Sequence, residues 1–196
     1  MGVFMEYILA SASPRRQELL RFIKKDFTVI PADIEENVPA GIEAEFSPEF
    51  LSVQKAQYIA KNHPKALVIG SDTGVFLDGV MLGKPSNEKE AADMLSSLSG
   101  RTHSVITGCA LFYKGKSFSF SEKTLVTFFP LDAAEIAEYI ASRSPFDKAG
   151  GYGIQDKGCL FVKGIEGDYF NVVGLPVARL KKEIEKFLRI FGEIDE

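Results

Sequence analysis

The sequence predicts an α/β protein in which a mixed β-sheet is flanked by helices. Three observations carry that prediction. Two short apolar runs, Tyr7-Ile8-Leu9-Ala10 and Ala66-Leu67-Val68-Ile69-Gly70, read as buried strands beside segments of helical periodicity, the pattern of crossover units. Further pairs of β-forming runs surround Asp78-Gly79 and Lys114-Gly115-Lys116, the pattern of hairpins. Amphipathic segments fill the intervals. Crossovers join parallel strands and hairpins join antiparallel ones, so a chain with both implies a mixed sheet.

In chain order, Tyr7 to Ala10 forms the first strand. Ser13 then supplies an N-cap and Pro14 a first helical residue, opening a helix with Leu19, Leu20 and Ile23 on one face. An acidic, proline-bounded loop runs from Asp33 to Pro39. Phe50 to Lys61 has helical periodicity and leads into the second strand at Ala66 to Gly70. Gly74 to Leu82 reads as a hairpin turning at Asp78-Gly79, residues that tolerate positive φ. Asn87 caps a helix to about Leu98 that Gly100 ends. Ser104 to Tyr113 and Ser117 to Phe129 are two more strands, and Asp132 opens a helix to about Ser142. A glycine-rich stretch, Lys148 to Gly158, precedes a hairpin expected through Leu160 to Ile165 and Tyr169. After a turn at Gly174-Leu175-Pro176, an amphipathic helix from Val177 to Phe191 closes the chain.

Composition narrows the function. The 196 residues suffice for a substantial core, in one domain or two small lobes sharing a cleft, and the pattern favours a single domain over residues 1–196. With 45% hydrophobic and 26% charged residues there is little room for a long disordered tail, so order is expected nearly end to end. A formal charge of -4 and the lack of a basic block exclude an extended nucleic-acid surface, which requires dense Lys/Arg, but leave room for one small anion. No apolar run reaches membrane-spanning length, and Met1 to Glu6 lacks the regions of a secretory signal. Met5 also reads as an alternative start, because patterned sequence begins at Tyr7. Cys109 and Cys159 read as two buried free thiols, which fits a reducing cytoplasm. Pairing into a homodimer is compatible with the sequence but not specified by it.

Four constellations could carry chemistry. In Ala10-Ser11-Ala12-Ser13-Pro14-Arg15-Arg16, a strand delivers two hydroxyls to a helix start with two guanidinium groups just inside, which reads as a phosphate cradle. In Gly70-Ser71-Asp72-Thr73 a carboxylate stands where a buried apolar strand is expected to end. Together with the acidic group Asp33, Glu35 and Glu36, it could hold a hard divalent cation or activate a water. Lys55, Lys84 and Lys148 supply cations, the last two in loops shaped by Gly or Pro, as charge developing on a leaving pyrophosphate requires. In Ala149-Gly150-Gly151-Tyr152-Gly153-Ile154-Gln155, glycines allow close backbone approach, and the Gln155 amide offers both a donor and an acceptor to a base edge.

Each segment also has a purely structural reading: a capped helix with solvated arginines, a turn-capping Asp, a surface lysine, a glycine-rich turn. On these residues alone both stay open. There is no Gly-x-x-x-x-Gly-Lys-Ser/Thr loop, no His-Glu-x-x-His, no Gly-x-Ser-x-Gly and no cysteine pair at zinc spacing. His63 reads as a surface residue and His103 as structural.

Taken together, Leu9 to Arg16, Gly70 to Thr73, Leu82-Gly83-Lys84-Pro85, Ser99-Gly100-Arg101-Thr102-His103, Asp147 to Gln155 and Asn171-Val172-Val173-Gly174-Leu175-Pro176 resemble the ordered motifs of the Maf family. The resemblance implies an elongated mixed sheet with helices, two lobes and a central cleft, related to the inosine triphosphate pyrophosphatases. It implies hydrolysis of nucleoside triphosphates to monophosphate and pyrophosphate with a divalent cation such as magnesium, manganese or cobalt, an activity that would limit misincorporation of unwanted nucleotides. Family members were first named for an effect on septum formation.

By that resemblance Asp72 matches the proton acceptor, and Ser11, Arg15, Glu35, Lys55 and Lys84 match the phosphate- and metal-handling positions. Arg15, Thr73 and Gln155 match positions that mark the branch acting on dTTP and UTP. The implied mechanism has a cation held by Glu35 and Asp72 with phosphate oxygens, and Asp72 orienting or deprotonating water for attack at the α phosphorus. Ser13 and Arg16 join Arg15, Lys148 and the helix start in handling phosphate, and Gln155 reads the pyrimidine. Phe170 and Ser52 depart from the family's usual tyrosine and alanine, which touches local packing rather than chemistry. Two alternatives stand beside this reading: a non-catalytic nucleotide-binding regulator of cell division, and a pyrophosphatase for a modified or purine nucleotide.

Overall fold

The computed structural model describes residues 5–191. The expectation of order to both termini therefore lies partly outside the described residues. The strands are β1 (Tyr7–Leu9), β2 (Thr28–Val29), β3 (Leu67–Leu77), β4 (Val80–Leu82), β5 (Thr102–Tyr113), β6 (Lys116–Phe128) and β7 (Val162–Glu166). The helices are α1 (Pro14–Leu20), α2 (Ser47–Ala60), α3 (Glu88–Leu98), α4 (Ala133–Ala141), α5 (Tyr169–Val173) and α6 (Val177–Arg189). Among the described residues the strands form one mixed sheet ordered β2-β1-β3-β5-β6-β7, with β4 also paired to β3. β1 runs parallel to β2 and β3, and the other pairs are antiparallel. The mixed α/β sheet expected from the sequence is thus present.

The feature that makes a site is a gap in one edge of β3. Its other edge is paired to β5 from Val68 to Phe76. On the gapped edge β1 pairs only with Leu67 to Ile69, and β4 only with Val75 to Leu77. Gly70 to Gly74 lie between these partners, with Asp72 in the middle. This corrects the expectation that Asp72 stands at a strand end: β3 continues through it because β5 supplies an unbroken ladder, and it is β1 that ends.

Side chains alternate across the pleat, so β3 serves three cores. Leu67 and Ile69 face one built with α1 and α6 through Leu19, Leu20, Leu180 and Ile184. Farther along, on that same face by the alternation, Val75 and Leu77 join α3 and α4 through Leu95, Leu98, Ile136 and Ile140. Between the two cores lie the polar residues Ser71, Thr73 and, on β5, Thr107. β3 and β5 run through both of these cores. On the opposite face Val68 meets Ala56 and Ile59 of α2. That helix lies hard against the sheet: a Cβ on Gly70 would strike Ser52 O, and one on Gly108 would strike the backbone of Glu49.

The hairpins turning at Asp78-Gly79 and Lys114-Gly115 form as expected. Asp78 and Gly79 have φ of 51° and 78°, and Lys114 and Gly115 have 47° and 75°, the paired left-handed residues of two-residue turns. Two expectations are corrected, and one short strand is added. The run after Leu160 makes no hairpin of its own: β7 returns to pair with β6, and Tyr169 opens α5, whose first turn Asp168 caps through Phe170 N at 2.8 Å. Thr28–Val29, unremarked in the sequence, forms β2. Cys109 is buried, but Cys159 is exposed, because it lies in a 3-10 turn whose buried positions are Gly158 and Phe161. Among the described residues no helix is long and apolar enough to cross a membrane.

Candidate active site

The gap in β3 opens into a cleft of about 860 Å³. Residues from all four predicted constellations line it, reaching it from β3, the start of α1, the segment after β4 and the glycine-rich stretch.

Asp72 sits at its base. Its side chain lies on the α2 face of the sheet, where Lys55 Nζ donates to Asp72 Oδ1 at 2.6 Å and meets Glu36 Oε1 at 2.7 Å. Lys55 and Asp72 are mostly buried, with side chains 11% and 17% exposed, so their attraction is only weakly screened. Asp72 Oδ2 makes no hydrogen bond among the described residues. Glu36, rather than Glu35, is the loop acid that reaches Lys55 and lines the cleft. Glu35 is exposed and is not among the residues that line it.

The α1 end is built around Arg16. Its Nε donates to Gly174 O at 3.0 Å, NH1 to Ser11 Oγ at 3.1 Å and NH2 to Thr73 Oγ1 at 2.9 Å. Burial lowers its pKa, and the nearby charge of Asp72 offsets part of that effect. A guanidinium has five N–H donors; three are engaged here, and the group lines the cleft. Ser11 is buried and also accepts from Ser13 N at 3.3 Å. Ser13 occupies the cap position without a capping side-chain bond. Arg15 instead reaches across the mouth to Asp147, NH1 to Oδ2 at 3.1 Å.

The opposite wall is a carboxylate-braced loop. Lys148 Nζ donates to Ser144 O at 2.7 Å and to Asp147 Oδ1 at 2.6 Å, and lies 3.3 Å from Asp156 Oδ2. Asp156 also accepts from Tyr139 OH at 2.9 Å and from Ser144 Oγ. Burial alone would raise the pKa of Asp147, but the Lys148 and Arg15 cations outweigh it and the net shift is downward. At Asp156 burial is likewise outweighed, by hydrogen bonds from Ser144, Gly158 and Tyr139. Lys84 and Gln155 are exposed at the rim; Lys84 has no ion-pair partner among the described residues.

The structure therefore brings Ser11, Ser13, Arg15, Arg16, Lys55, Asp72, Thr73, Lys84, Lys148 and Gln155 to one cleft and leaves Glu35 outside. Sequence reasoning gave no role to Thr107, Asn171, Tyr139 or Asp156. Lone strand hydroxyls and loop acids carry no spacing signal, and they matter only through partners many residues away.

A family model described as Maf, Maf-like protein, matches residues 6–187. The chain belongs to the Maf family. A relative from Bacillus mycoides named dTTP/UTP pyrophosphatase is 49% identical over 180 residues, 92% of this chain and 94% of that protein. One of the same name from Bacillus cytotoxicus is 48% identical over 182 residues, 93% and 95% of the two chains. Among solved structures, a HAM1 protein from Coxiella burnetii aligns with a TM-score of 0.52 and 15% identity over 93% of this chain and all of that one, a likeness of fold. Of the six Maf blocks, five contribute to the cleft lining. The sixth, Ser99 to His103, supports it from behind: His103 Nε2 lies 2.7 Å from the hydroxyl of Tyr152, which lines the cleft.

Proposed function

We propose that this Maf protein hydrolyses dTTP and UTP to the monophosphate and pyrophosphate, by attack of water at the α phosphorus with a divalent cation bound. The observation that carries the proposal is the Asp72–Lys55 pair in the β3 gap, facing Arg15, Arg16 and Lys84 across one cleft. The relatives named dTTP/UTP pyrophosphatase support the substrate class, since they match more than nine-tenths of the chain.

Asp72 is the base. Lys55 holds Oδ1, which leaves Oδ2 to accept a proton from the attacking water as oxygen bonds to phosphorus and the α–β bridge bond breaks. The electron pair leaves with pyrophosphate. The unengaged N–H groups of Arg16, with Arg15 and Lys84, neutralise that charge. Lys148 orders the loop carrying Gln155 rather than adding free positive charge, because Asp147 and Asp156 already face it.

The residues fit a hard divalent ion of the magnesium type. No group of three or more potential ligands occurs among the described residues. Asp72 and Glu36 converge on Lys55 and offer carboxylate oxygens, and such ions take one or two carboxylates plus phosphate and water. When bound, the cation would polarise phosphate oxygens and lower the charge that Asp72 must work against. Glu36 replaces Glu35 as the second protein ligand in this reading. A cytoplasmic location accords with the free thiols.

The test is pyrophosphate release from a panel of canonical and modified nucleoside triphosphates with magnesium, manganese or cobalt, against a chelator control. Metal-dependent turnover favouring dTTP and UTP is expected. Saturable binding without product would instead favour a non-catalytic regulator, and turnover confined to other bases would retain the reaction and reject the substrate.

A further inference from the structure

We propose that Thr107, a buried residue one strand behind the cleft, fixes base selection by committing the Thr73 hydroxyl to act toward substrate only as an acceptor. The proposal rests on the reading that the protein turns over dTTP and UTP.

A hydroxyl has one proton and two lone pairs. Thr107 is fully buried, and its Oγ1 donates to Asn171 O at 3.0 Å. Its proton is therefore spent. Thr73 Oγ1 and Thr107 Oγ1 lie 2.9 Å apart, and with the Thr107 proton engaged elsewhere the proton of that bond belongs to Thr73. Arg16 NH2 donates to Thr73 Oγ1 at 2.9 Å and takes one of its lone pairs. The direction is thus set along the whole chain, from Arg16 through Thr73 and Thr107 to the Asn171 carbonyl. Asn171 is itself fixed: its Nδ2 donates to Val105 O at 3.0 Å and to Thr124 Oγ1 at 2.9 Å.

What Thr73 has left for a ligand is one lone pair at the cleft wall. A phosphate oxygen has no proton to give it, so Thr73 is not a phosphate ligand. Uracil and thymine carry a proton on N3, whereas cytosine N3 is an acceptor. An acceptor-only hydroxyl selects uracil and thymine only from a position facing N3, where it pairs with their proton and sets two lone pairs against each other with cytosine; facing position 4 it would favour the cytosine amino group instead. Thr107 touches no substrate in this arrangement; it is a positioning residue acting through Thr73.

The experiment measures kcat/KM for UTP and CTP in wild-type protein, Thr107→Val, Thr107→Ser and Thr73→Val. Removing the Thr107 hydroxyl releases the Thr73 proton, which can then turn toward cytosine. The UTP/CTP ratio should fall about tenfold in Thr107→Val, chiefly through a gain on CTP, the scale of one hydrogen bond gained or lost. Thr107→Ser should keep the wild-type ratio. Thr73→Val should lower the ratio through a loss on UTP, and this arm stands even if Thr107→Val does not fold. A folded Thr107→Val with an unchanged ratio, or one that falls in parallel on both substrates as loss of a sugar-hydroxyl contact or plain destabilisation would produce, overturns the proposal. An unchanged ratio in Thr73→Val does the same. Wild-type protein that turns over neither dTTP nor UTP overturns the functional reading and this proposal together, a result distinct from normal wild-type turnover with an unmoved ratio.

Discussion

Lys55 Nζ stands 2.6 Å from Asp72 Oδ1, although one side chain comes from α2 and the other from a sheet strand. They meet because Gly70 and Gly108 lack the Cβ atoms that would hold the helix away. The carboxylate and its counter-ion are thus set by packing rather than by a loop.

Asp72→Asn should therefore fold normally, since the amide oxygen can still accept from Lys55, while kcat falls by about 10²- to 10⁴-fold through loss of the base. Steady-state kinetics with dTTP, alongside a thermal unfolding curve, checks both halves. Near-normal kcat would remove Asp72 from the mechanism. Glu36→Gln should cost less than Lys55→Ala, because Glu36 is about half exposed and Lys55 contacts both acids.

Gly108→Ala tests the packing directly. An added Cβ would collide with backbone atoms of Glu49 near the start of α2, which cannot swing aside as a side-chain tip can. Overpacking of this kind costs about 1–3 kcal/mol. Lys55 should shift with its helix, so activity per folded molecule should fall as well. A stable variant with full activity would show that α2 can be moved without disturbing Asp72.

Much of this was legible in the sequence because the signals were local. Asp78-Gly79 and Lys114-Gly115 announce their turns through residues that tolerate positive φ, and Asn87 and Asp132 cap the helices they precede, with Asn87 Oδ1 accepting from Glu90 N at 2.9 Å and Asp132 Oδ1 from Glu135 N at 2.8 Å. Most of the cleft-lining residues fall in ordered blocks of sequence. What escaped depends on distant pairing. Nothing near Asp72 states that β5 carries β3 onward, so the strand was expected to end too soon. Nothing near Glu35 and Glu36 says which of two adjacent acids turns inward. The Thr73–Thr107–Asn171 chain joins three segments through single hydrogen bonds, which no periodicity records.

The two cysteines should differ in reactivity by burial. Cys109 is inaccessible, and burial raises its thiol pKa to about 12, so little thiolate exists near neutrality. Cys159 is exposed. A chromogenic disulfide reagent at pH 8 should titrate one thiol rapidly in the native protein and both after denaturation. Two fast thiols in the native state would mean that the core around Cys109 opens readily.

His103 gives the stability a pH dependence whose sign can be worked out. It is buried against Phe128 and Tyr152 with ring centroids 4.9 and 5.4 Å away, and burial lowers its pKa from 6.5 to about 4. Between those values the unfolded chain binds a proton at this residue and the folded protein does not. Stability is therefore intact above pH 6.5 and is lost as pH falls toward 4, at about 1.4 kcal/mol per unit. From pH 7 to pH 5 this one residue accounts for about 2 kcal/mol. His103→Gln can still hydrogen-bond the Tyr152 hydroxyl but cannot titrate. Urea unfolding at both pH values should show the wild type losing about 2 kcal/mol more than the variant on acidification. Equal losses in the two proteins would mean that His103 is protonated at little cost in the folded state, and that the Tyr152 wall of the cleft is open to solvent.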